Sequence, residues 1–419
     1  MLDFLTLDDV ELKGKTVLLR VDINVPVNEA SLRISESKRI EAIRNTVGEL
    51  VDKEAKVVLI AHQGRAGDYD FLPLDQHAAV LSSAFGETFD YVDDTIGVAA
   101  RERVKEMKPR DVLLLQNVRF LAEETLDRTP EEHATTILVQ RLSSIADVFV
   151  NDAFSAAHRS HASLVGFTCT LPSVAGRNME RELRCDKQVF ANPERPVVYC
   201  LGGSKPDDTL EVQKYALGRG VVDNVLTSGV LCQLFLLAAG RKLGEETDTL
   251  LRDKHYLDHM GDVKDLLNRF GARIRVPVDL AYNDEGKRIE VGVQNLPGKG
   301  LVADIGKETI AAYKSIINDA KTVVAKGPAG VYEVPGFADG TKALLEVIGS
   351  SRAFSLVGGG HMLSAIRELG IDETSFSYVS LGGGAFINYL SGKGLPAYDA
   401  LKKAALRAKG SRELETEGV

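Results

Sequence analysis

Pro196-Val197-Val198-Tyr199-Cys200-Leu201-Gly202-Gly203-Ser204-Lys205-Pro206-Asp207-Asp208 is the stretch on which the fold of this chain turns. Its first six residues form a short apolar run that reads as a buried strand. Pro206, with Asp207 and Asp208 behind it, marks the start of a helix. A strand that passes through Gly-Gly-Ser-Lys into a helix start is the elementary piece of an α/β sheet. It also suits phosphate: glycines let the backbone approach, the helix start offers unpaired N–H groups, and Lys205 adds a positive charge. The plain alternative, for this stretch taken alone, is a strand-to-helix turn with a solvated lysine.

The same alternation continues on both sides. Upstream, strands are expected at Thr16 to Val21, Lys56 to Ala61, Phe89 to Val92, Asp111 to Leu115 and Asp147 to Val150. Helical spacing of apolar residues runs through Ser37 to Val51, and a further helix is expected from Leu74 to Ala84. Downstream, strands are expected near Val197, Asn224 to Leu226, Arg273 to Val276, Thr322 to Ala325, Ala353 to Val357 and Tyr378 to Ser380. Val-, Ile- and Leu-rich strands alternating with helices argue for parallel sheets covered on both faces. Between the halves, a polar helix over Met179 to Phe190 ends at Asn192-Pro193-Glu194-Arg195-Pro196. The fold class is therefore α/β: two Rossmann-like, three-layer α/β/α domains with mostly parallel sheets, joined by a connecting helix. The boundaries read as residues 1–178, a connecting helix and hinge over 179–195, and a second domain over 196–385. From about Lys402 the chain is charged and has no strong stop signal, so helix and frayed tail both remain open.

Composition bounds the function. The 419 residues are 44% hydrophobic and 26% charged, ordinary for a globular protein, and the net charge is −9. That balance argues against a general nucleic-acid binder but leaves room for a local basic pocket. No apolar run reaches membrane-spanning length, and the N-terminus has no basic stretch leading into an apolar one. A cytoplasmic protein without nucleic-acid or membrane partners is expected. Cys169, Cys185, Cys200 and Cys232 are far apart, which suggests free thiols in a reducing compartment rather than disulfides or structural zinc.

Open α/β sheets bind ligands beyond the carboxyl ends of their strands. In the first half those ends collect cations: Asp22 and Asn24 after one strand, His62 and Arg65 after the next, Arg119 after another, then His158, Arg159 and His161. Arg39 stands at the start of the first helix. Each arginine alone reads as a surface ion pair. Together they suit a small polyanion carrying phosphate and carboxylate, for which the guanidinium fork is shaped. His158-x-x-His161 has metal-pair spacing but no evident third ligand.

In the second half the strand ends collect glycines: Gly202-Gly203, Ser228-Gly229, Gly327-Pro328-Ala329-Gly330, Gly358-Gly359-Gly360-His361 and Gly382-Gly383-Gly384. Neither triple glycine satisfies G-x-G-x-x-G, because Leu363 and Ile387 occupy the last glycine slots. Gly14-Lys15-Thr16 is no P-loop either, since Asp9 stands where its first glycine belongs and the strand follows the motif. Repeated glycine at strand ends still lets a flat base and a phosphate chain come close. Glu333 reads equally as a ribose acceptor or a solvated acid. A polyanion site on one half and a nucleotide site on the other point to phosphoryl transfer, which needs positioning and charge neutralisation above all. Closure of the two halves would bring the ligands in line.

With these residues in view, the chain closely resembles phosphoglycerate kinases. The matching blocks are Arg20-Val21-Asp22-x-Asn24-Val25-Pro26, His62-x-x-Arg65, Asn117-Val118-Arg119-Phe120, Asn151-Asp152-Ala153-Phe154 with Ala157-His158-Arg159, Gly202-Gly203-Ser204-Lys205, Gly327-Pro328-x-Gly330-Val331-Tyr332-Glu333, Gly358-Gly359-Gly360, Gly382-Gly383-Gly384 and Leu395-Pro396. Several departures from the bacterial and eukaryotic pattern look like the archaeal branch. The resemblance implies reversible transfer between the acyl phosphate of 1,3-bisphosphoglycerate and ADP, giving 3-phosphoglycerate and ATP, in glycolysis and gluconeogenesis. It implies 3-phosphoglycerate on Asp22, Asn24, Arg39, His62, Arg65, Arg119 and Arg159. It implies Mg–ATP or Mg–ADP near Gly203, Lys205, Glu333, Gly358, Gly359, Gly360, His361 and Met362, with Arg39 and Lys205 as the catalytic cations. It also implies a segment over 386–401 that returns to the first domain, a C-terminal extension over 402–419, and a monomer, with a dimer as the alternative.

Three departures bear on the site. The family's second lysine, four positions after the first, is Thr209; its Asn before Gly-Pro-x-Gly is Lys326; its Asp after the triple glycine is His361, followed by Met362. Lys326 is expected to restore the cation missing at 209, and His361 argues against a protein ligand for Mg²⁺, which phosphates and water would hold. Two other readings stand beside the kinase. A non-catalytic nucleotide-binding paralogue would have had no need of Arg39, Lys205 and the substrate arginines. A dehydrogenase is opposed by the missing dinucleotide fingerprint.

Overall fold

Thr16–Arg20 lies at the centre of the first sheet, and both of its faces are buried: Val17, Leu18 and Leu19 are all essentially inaccessible. That is why the strand reads as an unbroken apolar run rather than an alternating one. In the computed structural model, which describes residues 2–35 and 37–417 (side chains through 410), the chain divides into two units. One holds the residues up to Leu183 and the segment from Gly394 onward; the other holds Arg184–Lys393.

The first unit is built on six parallel strands in the order Phe89–Tyr91, Val112–Leu114, Lys56–Ile60, Thr16–Arg20, Val148–Asn151, Ser173–Ala175. Helices cover both faces. Ile40, Val47 and Leu50 pack with Val17, Leu19 and Leu59 on one side, and Val104, Leu138 and Leu142 pack with Leu18, Val58 and Phe149 on the other. Truncating a leucine or isoleucine among these to alanine is worth ~2–5 kcal/mol.

The second unit repeats the plan with Ile274–Arg275, Asn224–Thr227, Val197–Leu201, Thr322–Lys326, Phe354–Gly358 and Tyr378–Ser380, again all parallel. An antiparallel sheet of Lys287–Gly292, Asp279–Asp284 and Leu301–Ile305 is added to it. Tyr282 on its central strand packs with Cys232, Leu236 and Leu243.

Three expected elements are bounded differently in the structure. The helix expected over Ser37 to Val51 is two helices, Lys38–Ala42 and Arg44–Asp52, turning at Ile43, which is buried in the core beside Ile40 and Val47. The connecting helix begins earlier, as Arg177–Phe190, and the division between units falls inside it rather than at 178. The returning segment begins at Gly394 and not at 386, because Phe386 and Leu390 are buried with Tyr199, Leu201 and Leu356 in the second unit's core. After it, Pro396–Glu417 is one helix, whose Ala397 N–H donates to the Ala157 carbonyl at 3.1 Å. The extension from 402 is the continuation of that helix as far as 417; its last two positions lie outside the described residues.

Candidate functional site

Both clusters of candidate residues lie where strand order reverses, the place at which an open sheet leaves a crevice beyond its carboxyl edge. In the first sheet, Thr16–Arg20 has Lys56–Ile60 on one side and the much later Val148–Asn151 on the other. In the second, Val197–Leu201 stands between Asn224–Thr227 and Thr322–Lys326.

On the first unit, Asp22 leaves the end of Thr16–Arg20 and is buried. It accepts hydrogen bonds from Arg39 Nη1 at 2.8 Å, from the Asn24 backbone N–H at 3.0 Å and from the Ser155 hydroxyl. Burial would raise its pKa, but Arg39, His62 and these bonds prevail and hold it well below the usual carboxylate range. Asn24 Oδ1 accepts from the Gly64 N–H at 3.0 Å, tying this loop to the one that carries Arg65. Asn117 does the same from the other side, donating to the Gln63 and Leu72 carbonyls at 2.8 and 2.9 Å. These bonds anchor the loops on the strand ends and aim the arginines into common space.

Arg65, Arg119 and Arg159 line one cavity of about 680 Å³ together with Phe71, Phe120 and His161. Asp22, Asn24, Arg39 and His62 do not line that cavity, although the charge of Asp22 acts on Arg159. Burial, then Arg159 and Arg20, pull the Arg119 pKa down to about 10. Its Nη1 donates to the Gly64 carbonyl, while its buried Nε has no hydrogen-bond partner. Burial and Arg65 likewise lower Arg159, and burial followed by Arg159 pushes His161 down to about 3. The cluster thus carries positive charge that its own residues leave uncompensated, the signature of an anion site. Among the described residues no group of three His, Cys, Asp or Glu side chains is placed to hold a metal ion.

Ser155 and Glu124 went unread in the sequence, and Arg20 was read only as part of a matching block, with no role. Arg20 closes an otherwise apolar strand and is 1% exposed, and a cation in that position is itself a signal of a buried polar network. Its Nε donates to Ser163 Oγ at 2.8 Å, and Ser163 Oγ in turn donates to Glu124 at 2.7 Å.

On the second unit three strand ends are in register, with Lys326 opposite both Leu201 and Gly358. The Gly202 and Gly203 N–H groups donate across to the Lys326 and Pro328 carbonyls at 2.9 and 2.8 Å. The two loops touch backbone to backbone. Gly327 has φ +77°, and a Cβ there would stand 2.3 Å from the Gly202 oxygen. The cradle is therefore glycine by necessity.

A cavity of about 420 Å³ above it is lined by Gly203, Lys205, Lys326, Asp208, Gly359, Gly360, His361 and Met362. An adjoining, mostly apolar cavity of about 290 Å³ is lined by Val230, Leu250, Tyr256 and Val302, with Glu333 and His361 at its polar edge. The glycines, helix start and two lysines of the first suit a phosphate chain, and the apolar lining of the second suits a flat base. Gly358 lines neither; it is buried beneath Phe386, whose ring a Cβ would meet at 2.7 Å. Thr209 is also absent from the linings. It is buried, and its hydroxyl donates back to the Pro206 carbonyl at 3.0 Å.

Compared with known proteins, residues 7–393 match the family model described as phosphoglycerate kinase. The phosphoglycerate kinase of Methanobacterium bryantii is 44% identical over 97% of this chain and 99% of its own. That of Methanothermus fervidus is 45% identical over the same shares. Among solved structures, the Pyrococcus horikoshii phosphoglycerate kinase superposes with a TM-score of 0.88 at 37% identity, covering 96% of this chain and 99% of that one.

Proposed function

The chain belongs to the phosphoglycerate kinase family, and we propose that its first unit binds 3-phosphoglycerate while its second binds the Mg–nucleotide. The activity is reversible phosphoryl transfer between 1,3-bisphosphoglycerate and ADP. The observation that carries the division of labour is the uncompensated Arg65–Arg119–Arg159 cluster on one unit, set against the glycine cradle with Lys205 on the other.

In the ATP-consuming direction, a carboxylate oxygen of 3-phosphoglycerate attacks the terminal phosphorus while the bond from that phosphorus to the ADP oxygen breaks. No proton moves: the carboxylate is already ionised at neutral pH and ADP leaves as an anion. The protein's task is charge. Asp22 and Asn24 take the substrate's hydroxyl, His62 donates to its anionic groups, and Arg65, Arg119 and Arg159 hold its phosphate. Arg39 and Lys205 stabilise the phosphoryl group in transit. Glu333 accepts from the ribose. Mg²⁺ would enter as part of the nucleotide substrate, with phosphate oxygens and water to hold it, since position 361 carries an imidazole where the family has a carboxylate. No helix among the described residues is long and apolar enough to cross a membrane. We take the enzyme to act in the cytoplasm as a monomer, with a dimer as the alternative.

The test is a coupled NADH assay of 3-phosphoglycerate phosphorylation on wild type, Arg39→Ala and Lys205→Ala. Each variant is expected to lose ~3–4 kcal/mol of transition-state stabilisation, a kcat loss of roughly a hundred- to a thousandfold, with ligand binding largely kept. Unchanged turnover in either variant removes that residue from the mechanism. A wild type that bound nucleotide without turnover would favour the non-catalytic reading, which no present observation supports.

A further inference from the structure

Lys326 ends the strand Thr322–Lys326 with its side chain 8% exposed, and it lines the cavity assigned above to the phosphate chain. Its stem passes beside Gly359, where a Cβ would stand in ordinary contact, 3.7 Å from Lys326 Cγ. Its ammonium reaches Asp208 Oδ2 at 3.4 Å. Asp208 lies in the first turn of Pro206–Gly218, lines the same cavity and is one-third exposed.

The pair is poorly suited to a purely structural role. At 3.4 Å it is long for a charge-assisted bond, and one member is open to solvent, where such pairs are worth little. Burial lowers the Lys326 pKa, Asp208 raises it, Lys205 lowers it again and Glu211 raises it, so two cations share a small space in which Asp208 is the carboxylate in contact. An ammonium has three donors, and one long ion pair leaves capacity for an incoming oxygen.

We propose that Lys326 is a phosphate ligand of the nucleotide, that Asp208 holds its charge in the empty site, and that the arriving phosphate chain takes the ammonium from Asp208. The family's cation at position 209 is thereby replaced from the neighbouring strand, not from the helix. Asp208 competes with the nucleotide for one lysine. This rests on the reading of the cavity as the nucleotide site.

The experiment is titration calorimetry of ADP, without and with Mg²⁺, on the full chain as wild type, Lys326→Met, Asp208→Asn, the double variant and Asp207→Asn. Lys326→Met is expected to bind about tenfold more weakly, the size of one charge-assisted bond. Asp208→Asn is expected to bind about three- to tenfold more tightly. In the double variant the gain from Asp208→Asn should fall below about twofold, because the lysine it would have released is gone. Asp207→Asn removes a charge from the same turn, but that carboxylate is 71% exposed and pairs with His259, so its effect should also stay below about twofold. Equal gains from Asp208→Asn with and without Lys326 would reduce the effect to bulk charge and overturn the exchange. Lys326→Met binding like wild type would overturn it while leaving the nucleotide site intact. A wild type that binds no ADP overturns the site reading and this inference with it. If Lys326→Met fails to fold, Lys326→Asn carries the same expectation.

Discussion

Arg20 Nη2 lies 3.0 Å from His62 Nδ1, and both side chains are buried. A guanidinium can only donate, so Nδ1 accepts and the imidazole keeps its proton on Nε2. Burial, followed by Arg20, drives the His62 pKa well below its ordinary value of 6.5. A lowered histidine pKa means a neutral ring throughout the physiological range, offering an N–H and no charge. We therefore expect no inflection in the His62 imidazole NMR shifts between pH 6 and 8. His62→Gln should weaken 3-phosphoglycerate binding about tenfold without altering the shape of its pH profile between pH 6 and 8. An inflection near pH 6.5 in the wild-type ring would show that the network does not neutralise it.

Arg119 shows how a binding site spends stability. Its pKa is pulled down to about 10 by burial and by Arg159 and Arg20, yet it stays charged at neutral pH. The free enzyme holds that repulsion, and an anion relieves it. Arg119→Gln should therefore melt no lower than wild type without ligand, because the lost bond to Gly64 is offset by lost repulsion. Saturating 3-phosphoglycerate should raise the wild-type melting temperature far more than that of the variant, whose affinity falls by ~1.5–3 kcal/mol. A full ligand-induced shift in Arg119→Gln would remove this residue from the site.

The parts of the fold that were legible in the sequence are those in which burial is two-sided. Val197–Leu201 and Lys56–Ile60 read directly because every second-layer contact demands an apolar residue. Lys287–Gly292 did not read, since its residues are exposed or only partly buried and its composition, Lys-Arg-Ile-Glu, is that of a solvated segment. Ser173–Ala175, at an edge and three residues long, gives too short a pattern. At the site, Arg65, Arg119 and Arg159 were legible because strand ends are fixed places in an α/β sheet. The pairing of Lys326 with Asp208 was not, since it depends on the register of Thr322–Lys326 against Val197–Leu201. Gly358 read as a ligand contact; it lines neither cavity and lies against the Phe386 ring, a placement the sequence does not show.

Gly327 and Gly218 should respond oppositely to alanine. At Gly327, φ is +77° and the new Cβ would fall 2.3 Å from the Gly202 oxygen, a backbone atom that cannot swing aside. Gly327→Ala is expected to destabilise by at least ~2 kcal/mol and to abolish nucleotide binding at millimolar ADP. Gly218 ends the helix Pro206–Gly218 with no atom within 4 Å of its ideal Cβ. Gly218→Ala should stabilise by ~0.4–1 kcal/mol through the unfolded chain. Urea midpoints of the two variants against wild type decide both.

Asp152 gives the enzyme an unusual pH dependence of stability. It is fully buried, and its Oδ1 accepts from the Met179 N–H at 3.0 Å at the start of Arg177–Phe190. Burial raises its pKa to about 7, against the lowering effect of that N–H and of Thr46. An acid whose folded pKa lies above its unfolded value binds its proton more tightly when folded. Its contribution is complete below about pH 4, declines as the pH rises, and is gone above about pH 7. This is opposite in sign to the usual ion-paired carboxylate, such as Asp22, whose lowered pKa favours folding at higher pH. Asparagine imitates the protonated acid, so Asp152→Asn should remove this loss while leaving every other titration in place. Relative to wild type, the variant should gain roughly 3 kcal/mol of stability between pH 5 and pH 8, because part of a loss that begins near pH 4 is already present at pH 5. Urea midpoints of both proteins at the two pH values test it, and a difference that does not change with pH would mean that Asp152 is ionised in the folded state.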